Sequence, residues 1–187
     1  LEFRRVLFRS VKSMKSNKLH GKYEEYFSND QLKIKGEYAL GKKDGAWLSW
    51  ADNGILLKEE NYKVDIRNGE QKYFFSNGKL EKRQNFLMGL LHGESKEWND
   101  KGVLTSQGYY SLGEMVGVKK TWYKNGNLEA EVSYRKGIEE GHILKWWENG
   151  NLKEAGAKKS GDNIGIWSNF NSSGVLETKI DYSSFGS

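Results

Sequence analysis

Glycine returns every 24 residues through most of this 187-residue chain, without insertion: Gly21, Gly45, Gly69, Gly93, Gly117, Gly141 and Gly165. Counting from that glycine as position 0, an aromatic stands at +5 in all seven units: Tyr26, Trp50, Phe74, Trp98, Trp122, Trp146 and Phe170. Leu stands at +11 in all seven: Leu32, Leu56, Leu80, Leu104, Leu128, Leu152 and Leu176. Position +17 is aromatic in Tyr38, Tyr62, Phe86, Tyr110, Tyr134 and Tyr182, with Lys158 the exception. Such regularity restricts the chain to a repeat array, in which each unit buries its apolar side chains against its neighbours. It outweighs any local reading of a short window.

Each unit reads as a β-hairpin. Between the +5 aromatic and the +11 Leu lies Asn53-Gly54, Asn77-Gly78, Asn125-Gly126 or Asn149-Gly150, or else Lys101-Gly102 or Ser173-Gly174. Asn-Gly between apolar residues is the strongest short hairpin signal. A two-residue loop would set +5 and +11 facing opposite ways. A three-residue loop, a type I turn closed by a left-handed Gly as a bulge, sets them directly across from each other. The sequence therefore predicts φ > 0 at Gly126 and its equivalents, including Asp30 in the first unit, with Trp122 packed on Leu128. The second strand alternates, with Leu at +11, small or mixed residues at +15, aromatics at +17, and mostly charged residues such as Lys33, Glu81 and Glu129 between them. That is the pattern of a half-buried antiparallel strand. A second turn follows as Tyr-x-x-Gly-x-x-x-Gly, as in Tyr134, Gly137 and Gly141. The +5, +11 and +17 side chains are expected to be mostly core on a common face, each burial contributing about 1.5–3 kcal/mol. Trp47 and Trp167 at +2 have the opposite parity. Either the first strand carries a bulge or part of the other face is apolar too.

The fold class that follows is all-β: an elongated, twisted antiparallel sheet of about seven consecutive 24-residue hairpins over residues 20–187. A leucine-rich repeat needs several Leu per unit, a parallel β-helix has no use for Asn-Gly hairpin turns, and a propeller blade needs about 40 residues. Residues 1–19 stand apart as a basic N-terminal segment. Leu7, Val11 and Met14 have the spacing of a short amphipathic helical cap; a disordered tail or, at Leu1-Glu2-Phe3, a cloning remnant are the other readings. The segment lacks the apolar core of a signal peptide, which favours a cytoplasmic location, although Leu1 is not an initiating Met and the chain reads as a fragment or a processed form.

Charge and chemistry narrow the function. Residues 1–20 hold six bases and one acid, which accounts for the whole net charge of +5, and the repeats are neutral. Clustered bases of the kind a phosphate-binding surface needs are missing from the repeats, so nucleic acid is disfavoured. The basic segment is instead suited to an anionic membrane surface. With no Cys there is no thiolate metal site. His20 and His92 directly precede a repeat Gly, where other units have Asp44, Asn68 or Glu140, and His142 follows one. A position that accepts His, Asp, Asn and Glu wants a polar group, not a metal ligand. Glu59-Glu60 and Glu139-Glu140 are adjacent in sequence and read as solvated charges. No phosphate loop or nucleophile elbow is present, and no catalytic residue, metal or cofactor is expected. The +6 aromatics Phe27, Phe75, Tyr123 and Trp147 are the candidate binding residues. On regular strands they lie opposite the +5 side chains, where they could grip a protein or stack on sugar rings, or simply pack against flanking chain.

Units such as Gly117-Val-Lys-Lys-Thr-Trp-Tyr-Lys-Asn-Gly-Asn-Leu128, closing in Tyr134-Arg-Lys-Gly-Ile-Glu-Glu-Gly141, resemble MORN repeats, and more closely the bacterial variant of that repeat. The resemblance covers about Lys18–Tyr182. Members of that variant are often described as the antitoxin component of a toxin–antitoxin pair. It implies a sheet of consecutive hairpins and a non-enzymatic role in protein association or scaffolding, with a partner protein, a toxin among the options. For eukaryotic relatives it also implies lipid binding. A cell-surface carbohydrate-binding or wall-binding module is the alternative function, and open sheet ends are suited to oligomerisation.

Overall fold

The computed structural model describes residues 10–183. They are all β, and they fall into two compact units divided between Leu90 and Leu91. In the first unit, β1 (Ser10–Lys15) pairs antiparallel with β2 (Lys18–Tyr26). Then come β3 (Leu32–Ala39), β4 (Lys42–Lys43), β5 (Gly45–Trp50), β6 (Leu56–Lys63), β7 (Ile66–Arg67), β8 (Gly69–Phe74) and β9 (Leu80–Leu87). The second unit holds β10 (Leu90–Trp98) from its second residue onward, then β11 (Leu104–Ser111), β12 (Glu114–Trp122), β13 (Leu128–Arg135), β14 (Ile138–Trp146), β15 (Leu152–Lys159), β16 (Asp162–Phe170) and β17 (Leu176–Asp181). The expected hairpins are β2–β3, β5–β6 and β8–β9 in the first unit and β10–β11, β12–β13, β14–β15 and β16–β17 in the second. The helical-cap reading is corrected for Val11 and Met14, which lie in strand β1; Leu7 lies outside the described residues.

The hairpin turn is the three-residue one. In the fifth repeat Tyr123 N–H donates to the Asn127 carbonyl and Gly126 N–H to the Tyr123 carbonyl, each at 2.9 Å. Gly126 has φ 91° and Asp30, in the equivalent place, φ 62°. Trp122 stands directly across from Leu128. One further residue is bulged in each second strand, because Thr121 pairs with Ala130 while Trp122 pairs with Leu128, leaving Glu129 unopposed. The repeat glycine marks a second irregularity. All seven have positive φ, from 60° at Gly165 to 106° at Gly141. At Gly141 the pairing of β13 with β14 jumps from Val132–Ile143 to Tyr134–Glu139. A side chain there would be strained, which is why the period is punctuated by Gly.

The bulge in the second strand resolves the parity of Trp47 and Trp167. It leaves the first strand regular between +2 and +5, so those two positions face opposite sides. The expectation that +5, +11 and +17 share one face is therefore corrected: +17 sits with +2. Tyr38 at +17 packs edge-on against Tyr23 and Trp47, both at +2, with ring centroids 5.4 and 4.8 Å away. Trp167 meets Tyr182 in the same way at 6.5 Å. Burial is deepest at +2: Trp47 is 5% exposed, Ile143 2%, Trp167 6% and Gln71 fully buried. Both indoles lie over the +15 glycine of the preceding repeat. A Cβ built on Gly36 would stand 2.4 Å from the Trp47 ring, and one on Gly156 2.3 Å from the Trp167 ring. The indole N–H groups donate to the Glu37 and Ala157 carbonyls at 3.1 Å. Gln71 takes the same place with an amide, donating to the Asn61 carbonyl at 2.8 Å and accepting from Asn61 N–H at 3.2 Å. The opposite face is charged, with Lys120–Glu131 at 2.6 Å, Lys72–Glu59 at 3.4 Å and Lys35–Glu24 at 3.7 Å. Such half-exposed pairs fix register more than they stabilise.

Candidate binding surface

The +6 residues Phe27, Phe75, Tyr123 and Trp147 each open a hairpin turn, and all four are half-buried. In the second unit Tyr123 and Trp147 come from neighbouring hairpins, and both reach forward to the next one. Tyr123 hydroxyl donates to the Trp146 carbonyl at 2.8 Å, and Trp147 Nε1–H to the Phe170 carbonyl at 2.9 Å. The Asn-Gly-Asn of each turn does the same with its amides. Asn125 and Asn127 both donate to the Glu148 carbonyl, and Asn149 and Asn151 both to the Ser172 carbonyl. The first Asn also accepts from the backbone N–H two residues on, at 2.9 Å for Asn125 and 3.1 Å for Asn149, which locks the turn. The turns are thus stitched from one hairpin to the next, and the two aromatic side chains are held with their polar ends satisfied by backbone. Lys153 Nζ lies 4.3 Å from the centre of the Trp147 ring. Burial raises the Tyr123 phenol above its usual pKa, with Glu129 and then Glu148 adding to the effect, so the hydroxyl stays a donor.

In the first unit Phe27 and Phe75 are not neighbours, because the hairpin between them has Ala51 at +6. Lys33 Nζ lies 5.8 Å from the Phe27 ring centre. The four candidates therefore form one adjacent pair in the second unit and two separate aromatics in the first.

The other turn carries a feature that sequence reasoning does not reach. It is a two-residue turn in which both residues have φ > 0, as at Leu40-Gly41, Val64-Asp65, Leu112-Gly113 and Lys136-Gly137. Leu40, Val64, Met88 and Leu112 occupy the first position and are 54%, 45%, 72% and 53% exposed. A left-handed Val is costly, and these side chains gain little burial in return. In the first unit Val64, Ile66 and Met88 line a shallow groove with Lys63 and Asn68. The sequence does carry a signal, an apolar residue directly before the turn glycine in three units, but the left-handed backbone is not legible there. In the first four repeats the residue before the repeat Gly has its own task at this turn. His20 Nδ1 accepts from Leu40 N–H at 3.3 Å, Asp44 from Val64 N–H at 3.4 Å, Asn68 from Met88 N–H at 3.3 Å and His92 Nδ1 from Leu112 N–H at 3.4 Å. The two His residues are turn acceptors, as their alternation with Asp and Asn predicts.

The repeat geometry agrees with the family comparison. The MORN repeat variant matches residues 19–39, 43–63, 67–87, 91–111 and 115–136, more than half of the chain. The chain belongs to the MORN repeat variant family. The hairpins β14–β15 and β16–β17 lie beyond the matched residues but repeat the same register and the same Trp-over-Gly contact. No curated protein matches the chain. MORN repeats are commonly protein-binding or membrane-binding modules, and a non-enzymatic repeat protein is consistent with that membership.

Proposed function

We propose that this MORN-variant chain is a non-catalytic module that binds a partner protein through its hairpin-turn aromatics, Tyr123 and Trp147 first, with Phe27 and Phe75 as further contacts. The observation that carries this is the stitched turn. The polar ends of Tyr123 and Trp147 are used up on backbone carbonyls, so what they offer a partner is ring surface, held in place before binding. Rigid aromatics of this kind contribute heavily to interfaces because little rotamer entropy is lost. A bacterial antitoxin or immunity role, with a toxin as the partner, is the specific form of this reading that the family resemblance suggests, and it suits a binding surface without catalytic groups. The test is purification from the native host. A protein that co-purifies with the wild type should drop at least about tenfold with Tyr123→Ala/Trp147→Ala, at unchanged far-UV circular dichroism. If nothing co-purifies, or the double variant retains it, the reading fails. Toxicity of that protein, relieved by co-expression, decides the antitoxin form.

A second reading, membrane-surface binding, is favoured by the first unit's left-handed turns, where exposed Leu40, Val64 and Met88 stand beside Lys42 and Lys63. Vesicles of anionic lipid that do not retain the chain would remove it.

A further inference from the structure

Three Asn-Gly turns share one backbone but differ in how they are tied to the hairpin that follows. Asn53-Gly54, Asn125-Gly126 and Asn149-Gly150 place Gly at φ 81°, 91° and 89°, and all three Asn residues are exposed. In each, the Gly N–H donates to the +6 carbonyl at 2.8 or 2.9 Å, and Asn Oδ1 accepts from the N–H two residues on, at 3.1 Å for Asn53. The turns of the fifth and sixth repeats each send three side-chain hydrogen bonds forward. Tyr123, Asn125 and Asn127 reach carbonyls of Trp146 and Glu148, and Trp147, Asn149 and Asn151 reach those of Phe170 and Ser172. The turn of the second repeat sends none. Ala51 replaces the aromatic and Ile55 the second Asn, and neither has a side-chain donor. Asn53 Nδ2 has no hydrogen-bond partner among the described residues. This turn receives a bond, from Asn29 Nδ2 to the Asp52 carbonyl at 2.9 Å, and passes nothing of the kind to the third hairpin.

An Asn followed by Gly is chemically labile, because no side chain on the Gly obstructs attack by its nitrogen on the Asn Cγ. We propose that Asn53 is a self-modification site, which the folded chain converts to aspartate and isoaspartate while the forward ties protect Asn125 and Asn149. Gly54 N loses its proton to hydroxide and bonds to Asn53 Cγ. The Cγ–Nδ2 bond breaks, Nδ2 takes a proton from water, and ammonia leaves behind a succinimide. Water then adds to either imide carbonyl and opens that C–N bond, giving isoaspartate or aspartate. No oxidation state changes, and water is the one co-reactant. The Ile55 N–H on Oδ1 stabilises the charge that develops there.

The fold sets the rate through access. Gly54 N–H must leave the Ala51 carbonyl, and the Asn53 side chain must swing until Cγ meets Gly54 N, so the turn has to open locally. At Asn125 and Asn149 the same opening also breaks the Nδ2 bond and works against two further ties. Each such bond carries a factor of about five in the opening equilibrium. Asn53 has none of them to break. The product matters because of where it stands. Isoaspartate routes the main chain through the side-chain carbon and adds one backbone atom to a turn whose length sets Trp50 opposite Leu56. Either product adds a negative charge beside Asp52. Partner binding by Tyr123 and Trp147 does not enter, so either proposal can fail without the other.

The experiment incubates the folded full chain in mildly alkaline buffer and follows each Asn-Gly peptide over time by mass spectrometry, with isoaspartate confirmed by enzymatic methylation. Asn53 should convert about tenfold or more faster than Asn125 or Asn149. In guanidinium the three should convert at similar rates, which removes local sequence as the cause. Asn127→Ile gives the fifth turn the residue found at 55 and should speed Asn125 by about fivefold, and Ile55→Asn should slow Asn53 by about the same factor. If either variant misfolds, the folded-against-unfolded comparison of the wild type still decides. A folded chain in which Asn53 converts as slowly as Asn125 and Asn149, or an equal preference for Asn53 in guanidinium, overturns the proposal.

Discussion

Gly156→Ala tests the contact that organises the face carrying Trp167. Ordinarily this substitution in a strand stabilises, by about 0.5–1 kcal/mol, because the unfolded chain loses freedom. Gly156 is not among the positive-φ glycines, so the backbone itself raises no objection. The ring does: the new Cβ would lie 2.3, 2.4 and 2.8 Å from Trp167 Cδ2, Cε2 and Cε3. Real Cβ atoms do not approach that closely, so the indole must lift. Lifting strains the packing by about 1–3 kcal/mol. It also breaks the Trp167 Nε1–H bond to the Ala157 carbonyl, a loss of about 1 kcal/mol. The net expectation is a destabilisation of about 2 kcal/mol once the unfolded-state gain is set against these terms. For a chain of this size that lowers Tm by about 4–8 °C. Guanidinium and thermal unfolding, followed by circular dichroism, measure it. The same substitution in a Trp167→Ala background should lose its penalty and turn mildly stabilising, and the difference isolates the ring contact. A Gly156→Ala variant as stable as the wild type would refute the reasoning outright.

Three further outcomes follow from other contacts. Val64→Gly should stabilise by about 1 kcal/mol in denaturant unfolding, because Val64 is β-branched at φ 55° and half-exposed. Tyr123→Phe removes the hydroxyl bond to the Trp146 carbonyl and should cost about 0.5–1.5 kcal/mol in the same assay, without disturbing the ring surface a partner would meet. The Tyr23 pKa is pushed up to about 12 by burial, then by its hydrogen bond to Glu25 and the charges of Glu25 and Tyr38. Its folded pKa lies above the unfolded value, so its contribution is fully present below about pH 10 and is lost as pH rises through about 12. Tyr23→Phe should flatten the alkaline limb of stability against pH, and ultraviolet titration should lose one late-ionising phenol.

The period, the hairpins and the turn type are legible because each rests on local chemistry repeated seven times. Asn-Gly sets the turn, and the parity of Trp122 and Leu128 selects three residues over two. What the sequence conceals is non-local. The extra residue at Glu129 flips the face of everything after it, and no residue type marks such a bulge. That is why Tyr38 packs beside Trp47 and not beside Tyr26. The pairing of Trp47 with Gly36 and of Trp167 with Gly156 spans adjacent hairpins, and shows only when the +2 and +15 columns are read together. At the candidate surface, aromatic spacing singles out Tyr123 and Trp147, but their bonds to the following hairpin depend on how far the side chains reach. The second Asn of Asn-Gly-Asn gives no sign of its role, since a turn alone does not require it.

Within each compact unit, one turn's backbone is tied to the turn one repeat earlier: Gly41 N–H to the Leu19 carbonyl, Asp65 to Lys43, Gly137 to Met115, Gly161 to Glu139. Every such tie spans the same separation and uses main-chain atoms, so it is indifferent to which side chains flank it. A gene segment encoding one whole period can be duplicated or lost by unequal crossing-over, and the joint heals with equivalent partners. Array length is then free to drift in whole steps over evolutionary time, while an insertion of any other size breaks the tie at once.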